Sequence, residues 1–262
     1  MTAQEGWQPA AVLSPSQVTQ FLHCPAKWYF RYLLDLPEAA TTATALGKAF
    51  HEAIAHNFRH KLQRHSDLPL TDAVESFRSS LGQHLESAAL VRGVDAVEML
   101  ELGTVMLQKY LCEAAPLIQP AAVETAVTGM IGGVKVRGYV DLLDADGRII
   151  DTKSALKPIK GISHDHRLQL TSYAMITPAA SGLCRLDTVT KGRTVSLAQK
   201  SFQIGPADRK YSVRRIANMR RPSIRWCRNR SGRESTSHTE AVIFVHDSTA
   251  DTGALARASS AA

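Results

Sequence analysis

The chain has 262 residues, 44% hydrophobic and 21% charged, with a formal net charge of +7. That balance is ordinary for a soluble globular protein with one sizeable core and leans toward a polyanionic partner. Its four cysteines (Cys24, Cys112, Cys184, Cys227) are far apart with no Cys-x-x-Cys pair, which argues against a disulfide framework or a zinc knuckle, and no leader-like N-terminus or apolar run of membrane-spanning length is present. The expectation is a cytoplasmic protein with no membrane partner.

Residues 1–11 read as a flexible N-terminus. Ser14 and Pro15 supply a helix start, as N-cap and first helical residue, with Val18, Phe21 and Leu22 at helical spacing. A second short helix, residues 25–34, carries Trp28, Tyr29, Phe30 and Tyr32. A third is predicted over 44–64, where Leu46, Phe50, Ile54, Phe58 and Leu62 form a stripe of every fourth residue. His51 borders that stripe, as a packed residue or a metal ligand; His56, His60 and His65 read as solvated. Two more helices are predicted over 71–90, through Val74, Phe77, Leu81 and Leu85, and over 96–113, through Val97, Leu100, Leu107, Tyr110 and Leu111. They form a helical insert at about 66–115.

Residues 122–130 read as a strand, in which Glu124 is either an accessory acid or a solvent-facing residue. Gly132 and Gly133 turn the chain into a second strand leading to Asp141. The sequence Asp144-Ala-Asp146-Gly147 is a hairpin turn, and 148–153 forms the return strand. Asp151 and Lys153, two residues apart, share one face of that strand, so two carboxylates and an ammonium converge with Asp141. Such a group suits a hard divalent cation held by Asp141, Asp151 and the Thr152 backbone carbonyl, with Lys153 orienting or deprotonating an attacking water. Read without the rest of the chain, Asp151 and Lys153 are an ordinary same-face ion pair, because so short a triplet is common.

After Lys153 a polar loop carries Lys157, Lys160 and His164, suited to phosphates. A helix beginning near Asp165 puts Gln169 and Tyr173 one turn apart. Residues 183–189 are predicted as a strand, with Lys191, Arg193 and Lys200 around the following turn. From Arg185 to Arg233 the chain is strongly basic, a phosphate-tracking surface or a solvated tail. Residues 201–262 form a basic, divergent region in which 220–237 and 248–262 are expected to be poorly ordered.

The pieces Gly47-Lys48-Ala49-Phe50-His51, Gly138-Tyr139-Val140-Asp141, Asp151-Thr152-Lys153 and Gln169-Leu-Thr-Ser-Tyr173 occur in an order and spacing that resemble the PD-(D/E)XK nuclease superfamily. Within it they resemble the RecB-like branch of CRISPR-associated and phage or prophage exonucleases. The resemblance covers roughly residues 12–190. It implies an α/β fold, a restriction-endonuclease-like mixed central sheet flanked by helices with an N-terminal helical layer, in a nuclease domain over 12–200. It also implies Mg2+ or Mn2+ held by His51, Asp141 and Asp151, a water served by Lys153, and Gln169 and Tyr173 lying against the site and the DNA. Gly47 would let its helix approach the hairpin closely. Some members use a cysteine placed like Cys24 for an iron–sulfur cluster, but their other three ligands form a compact C-terminal group, for which only Cys227 stands here. A cluster is therefore not expected, and Cys24 reads as a buried small hydrophobe. The function implied is a metal-dependent DNA nuclease, in first place an exonuclease. A catalytically inactive nucleic-acid-binding protein of the same fold is the alternative. Strand polarity and any helicase or recombination partner are not written in these motifs.

Overall fold

The computed structural model describes residues 12–38, 40–86, 96–157, 161–219, 223–228, 241–246 and 254–258, the last three as backbone only. The chain divides into two compact units, one of 1–38, 130–136 and 213–262, the other of 39–129 and 137–212.

In the first unit α1 (Pro15–His23) starts as expected: Ser14 caps it by accepting the Gln17 N–H, with Pro15 at the first helical position. Cys24 corrects the sequence reading. With Pro25 opening α2 (Pro25–Tyr32), Cys24 becomes that helix's N-cap, and its Sγ accepts the Lys27 N–H at 3.4 Å from a half-exposed position. The C-terminal region contains β6 (Ser223–Arg228), β7 (Ala241–His246) and β8 (Ala254–Ala258), paired antiparallel in that order. Two of these lie in stretches expected to be poorly ordered. In 223–228 the alternating Ile224 and Trp226 favour a strand despite the surrounding Arg and Ser content. The rest of 220–262 lies outside the described residues.

The second unit is built on α3 (Thr42–Arg64), α4 (Leu70–Glu86) and α5 (Ala96–Glu113) packed against a sheet. Helix α3 begins two residues earlier than the spacing predicts, because Thr41 and Thr44 cap each other's backbone N–H groups. Its core face is Leu46, Ala49, Phe50, Ala53, Ile54 and Phe58, whereas Leu62 is 42% exposed. A four-residue step turns about 40° beyond a full helical turn, so a strict stripe walks off the core face by its fifth member. Lys61 takes the buried position instead, its ammonium on Asp67 at 3.0 Å and the Ala115 carbonyl at 2.7 Å. Val97 is likewise exposed, and α5 packs through Met99, Gly103, Met106, Leu107 and Tyr110.

Five strands form a mixed sheet in chain order: β1 (Pro120–Ile131), β2 (Val134–Asp144), β3 (Ile149–Ala155), β4 (Leu183–Thr190) and β5 (Ser196–Gln203). The β2–β3 hairpin is antiparallel with Leu142 opposite Ile150, and closes on Gly147 at φ 73°. Strand β3 runs parallel to β4, and α6 (His164–Ile176) makes the crossover such a pair requires. Every residue of β4 after Leu183 is buried, the pattern of a strand covered on both faces. Strand β5, which contains Lys200, replaces the turn expected there, and α7 (Pro206–Asn218) follows. No helix among the described residues is long and apolar enough to cross a membrane.

Candidate metal site

The sequence-derived residues converge from three elements of the second unit: His51 from α3, Asp141, Asp151, Thr152 and Lys153 from the β2–β3 hairpin, and Gln169 and Tyr173 from α6. Asp141 and Asp151 lie one step along their strands from the Leu142–Ile150 pair. His51 Nδ1 is 3.5 Å from Asp141 Oδ2, which also accepts the Thr152 N–H at 3.4 Å. The Lys153 ammonium donates to Asp151 Oδ1 at 3.0 Å, as does the Gln169 side-chain amide at 3.4 Å. That amide also donates to Tyr173 Oη at 3.2 Å, so the one-turn spacing on α6 forms a relay ending on Asp151.

Glu124 joins them. One ligand atom each of His51, Glu124 and Asp141 lies within 4.8 Å of the others, a group that could hold a metal ion and that excludes Asp151. Of the two sequence readings of Glu124, the site-facing one matches this geometry. Glu124 is half-buried and has φ +47°, a backbone conformation costly for a residue with a side chain and rare inside a strand.

The electrostatics are those of a site built for a cation. Burial pushes the Glu124, Asp141 and Asp151 carboxyls above their ordinary range, the nearby acids adding to it and Lys153 partly offsetting it. Burial also holds the His51 imidazole down at about 4, with the Lys153 charge in the same direction, so the ring is neutral and its lone pair free for a ligand. Burial disfavours the Lys153 ammonium too, but Asp151 and Asp141 outweigh it and raise its pKa. The Lys153 ammonium straddles the buried Asp151 carboxylate, 3.0 Å from each of its oxygens. Two carboxylates and one neutral imidazole within ligand reach of one another, with the Asp151 carboxylate beside them, fit a hard divalent cation.

Other expectations separate. His164 and Lys157 are exposed, and Lys160 lies outside the described residues. It is His166 that shares a helix face with Gln169 and Tyr173, at i, i+3 and i+7; burial lowers its pKa, and it feels the charges of Asp151 and Lys153. The same spacing rule that found Gln169 and Tyr173 would have found it. Arg185, counted in the basic tract, is buried in an ion pair with Asp187 at 2.9 Å and takes no part in a surface.

Gly47 also differs from expectation. A Cβ there would meet Ser154 Oγ at 3.8 Å, an ordinary contact, whereas one on Gly138 would fall 2.2 Å from Tyr173 Cε1. The close approach that demands glycine is between β2 and α6.

No curated protein matches the chain in sequence. Its fold is similar to the crystal structure of a protein of Eubacterium rectale assigned as an exonuclease, with a TM-score of 0.52 and 9% identity over 83% of this chain and 82% of that one. A second solved structure, SSO0001, aligns at a TM-score of 0.32 with 15% identity, over 78% of this chain and 83% of that one. A family model described as the PD-(D/E)XK nuclease superfamily matches residues 12–229, most of the chain and all of the residues above. The chain belongs to the PD-(D/E)XK nuclease superfamily.

Proposed function

We propose that this nuclease is a divalent-metal-dependent deoxyribonuclease of the RecB-like branch, acting as an exonuclease. The observation that carries the reading is the meeting of His51, Glu124 and Asp141 beside the Asp151–Lys153 pair, in a chain whose family is nucleolytic. His51, Glu124, Asp141, Asp151 and the Thr152 carbonyl are the groups that would hold Mg2+ or Mn2+. When bound, such an ion supplies Lewis-acid stabilisation of the charge that develops on a phosphodiester.

The side chains then divide the remaining work. Two carboxylates favour the charged form of Lys153, which supports a donor role, orienting the attacking water or a phosphate oxygen, over removal of a proton. Gln169 fixes Asp151 and Tyr173 fixes Gln169, so α6 holds the carboxylate in its orientation. DNA is the proposed substrate; the RecB-like placement rests on His51 and on the Gln169–Tyr173 pair.

End-labelled linear and circular DNA incubated with Mg2+, Mn2+ or EDTA tests the reading, with wild type beside Asp151→Ala and Lys153→Ala. Cleavage should require metal, spare circles, and fall by at least about 100-fold in either variant, on the order of what one acid–base or electrostatic group contributes. Metal-dependent cutting of circles would remove the exonuclease assignment. No cleavage by a folded, DNA-binding wild type would leave a binding protein of nuclease fold.

A further inference from the structure

We propose that Tyr110 is a positioning residue that sets the spacing between the α3 and β3 halves of the metal site, acting through a buried hydrogen-bonded chain to Thr152 and Asp187. The inference rests on the proposed metal-dependent function and assigns a role within it to residues that touch neither metal nor substrate.

The would-be ligands come from elements that share no covalent constraint: His51 rides on α3, Asp151 on β3. Tyr110 of α5 lies behind both and is fully buried. Its ring meets Phe50, the residue before His51, edge-on at 6.3 Å, and Phe58, two turns along α3, at 6.4 Å. Its hydroxyl accepts from Thr152 Oγ1 at 3.4 Å and donates to Asp187 Oδ2 at 3.3 Å. Thr152 lies between Asp151 and Lys153, so its side chain leaves the opposite face of β3 from theirs. Asp187 is its register partner on β4.

The far end of the chain is held firmly. The Arg185 guanidinium pairs with Asp187 at 2.9 Å through two nitrogens, and the Gln199 amide donates to it at 3.3 Å. Burial, then the Asp187 charge, pushes the phenol well above its ordinary range, so it stays a donor at any working pH. An ion pair and a phenol inside an otherwise apolar core are a poor source of stability, because desolvation offsets most of their attraction. They do fix direction: apolar side chains of the same volume tolerate sliding, and a hydrogen-bonded chain does not. Here the hydrogen bonds fix α5 against β3, and the ring edges of Phe50 and Phe58 carry that position to α3, which bears His51.

Mn2+ binding to the full-length protein without DNA is the test, followed by electron paramagnetic resonance well below the melting point. Tyr110→Phe keeps the ring and its two aromatic contacts and removes only the hydroxyl. It should weaken Mn2+ binding by about tenfold, the lower end of what supporting groups behind a metal site contribute. Thr152→Val breaks the same chain from the strand side and should do likewise; it decides the matter if Tyr110→Phe does not fold. Phe77→Leu, a core change on α4, is the control for lost stability and should lower Tm with Mn2+ affinity unchanged. Tyr110→Phe and Thr152→Val that lower Tm but leave affinity within twofold of wild type would overturn the proposal. Wild type that binds no Mn2+ overturns it together with the metal-dependent reading. Wild type that binds Mn2+ without cleaving DNA overturns the nuclease reading alone, and the affinities of the variants still decide the role of Tyr110.

Discussion

Asp151 is 2% exposed, has the Lys153 ammonium 3.0 Å from both of its oxygens, and is nonetheless held above the ordinary aspartate range chiefly by burial. A carboxyl whose folded pKa is raised favours the fold when protonated. That contribution is complete below the unfolded value of about 4 and is lost as pH rises through the folded value. Asp151→Asn therefore removes a cost present at neutral pH in the metal-free protein, while Asp141 still faces the Lys153 ammonium. In EDTA at pH 7.5 the variant should melt about 2–4 °C above wild type, on the order of 1 kcal/mol for a chain of this size, and the two should converge toward pH 4. Calorimetry across that range checks it; a lower Tm would mean that the lost ion pair outweighs the relieved burial. His51 predicts the complementary behaviour: nuclear magnetic resonance of the metal-free protein should find its ring neutral down to about pH 4. At this scale the sequence was informative where ligands follow one another along a hairpin or a helix turn. The two-residue spacing of Arg185 and Asp187 marks a same-face pair, but Tyr110 of α5 and Thr152 of β3 reach it from two other stretches of chain, and no local spacing announces that meeting.

Among the elements, β2 and α6 are locked by a glycine and α3 is not. Gly138→Ala would drive a methyl against the Tyr173 ring, and Tyr173 is the partner of Gln169. Overpacking of this kind costs about 1–3 kcal/mol, and here it also displaces the group that orients Asp151. The expected result is a lower Tm and a cleavage rate reduced by at least about tenfold, a rough figure for the loss of one positioning contact. Gly47→Ala has ordinary room beside Ser154 and replaces a helix-interior glycine, so its Tm should equal wild type or rise by an amount on the order of 1 kcal/mol. Thermal melts and cleavage rates of the two variants side by side check both. The sequence reading assigned the close approach to Gly47, and the packing moves it to Gly138. Helices α1 to α6 and strands β1 to β4 were legible because caps, Gly turns and apolar periodicity agree locally. Strand β5, with sequence SLAQKSFQ, has an alternation too polar to read, since it lies beside β4 with mostly exposed or half-exposed residues.

At the scale of the whole molecule the charge of +7 has to be reconciled with a site that is itself acidic. His51, Glu124, Asp141, Asp151, Lys153, Gln169 and Tyr173 all fall within one compact unit and place three carboxylates where an anionic phosphodiester would arrive. Attraction for a polyanion must then come from elsewhere, and several cations are already engaged: Arg185 with Asp187, Arg167 with Asp208, and Lys191 with Glu98 at 3.0 Å. Arg193, Lys200, Arg209, Lys210 and Arg214 are exposed and contribute to a positive field. If DNA is held by such groups, its affinity measured in EDTA, where nothing is cut, should fall with salt at a log–log slope of about −0.9 for each phosphate neutralised. Four contacts correspond to a loss of roughly 100-fold between 50 and 200 mM salt. Fluorescence anisotropy with a labelled duplex and a labelled single strand reads the slope. A slope near zero, or no binding at 50 mM salt, would mean that the net charge is unrelated to substrate and that the site's acids face no polyanion.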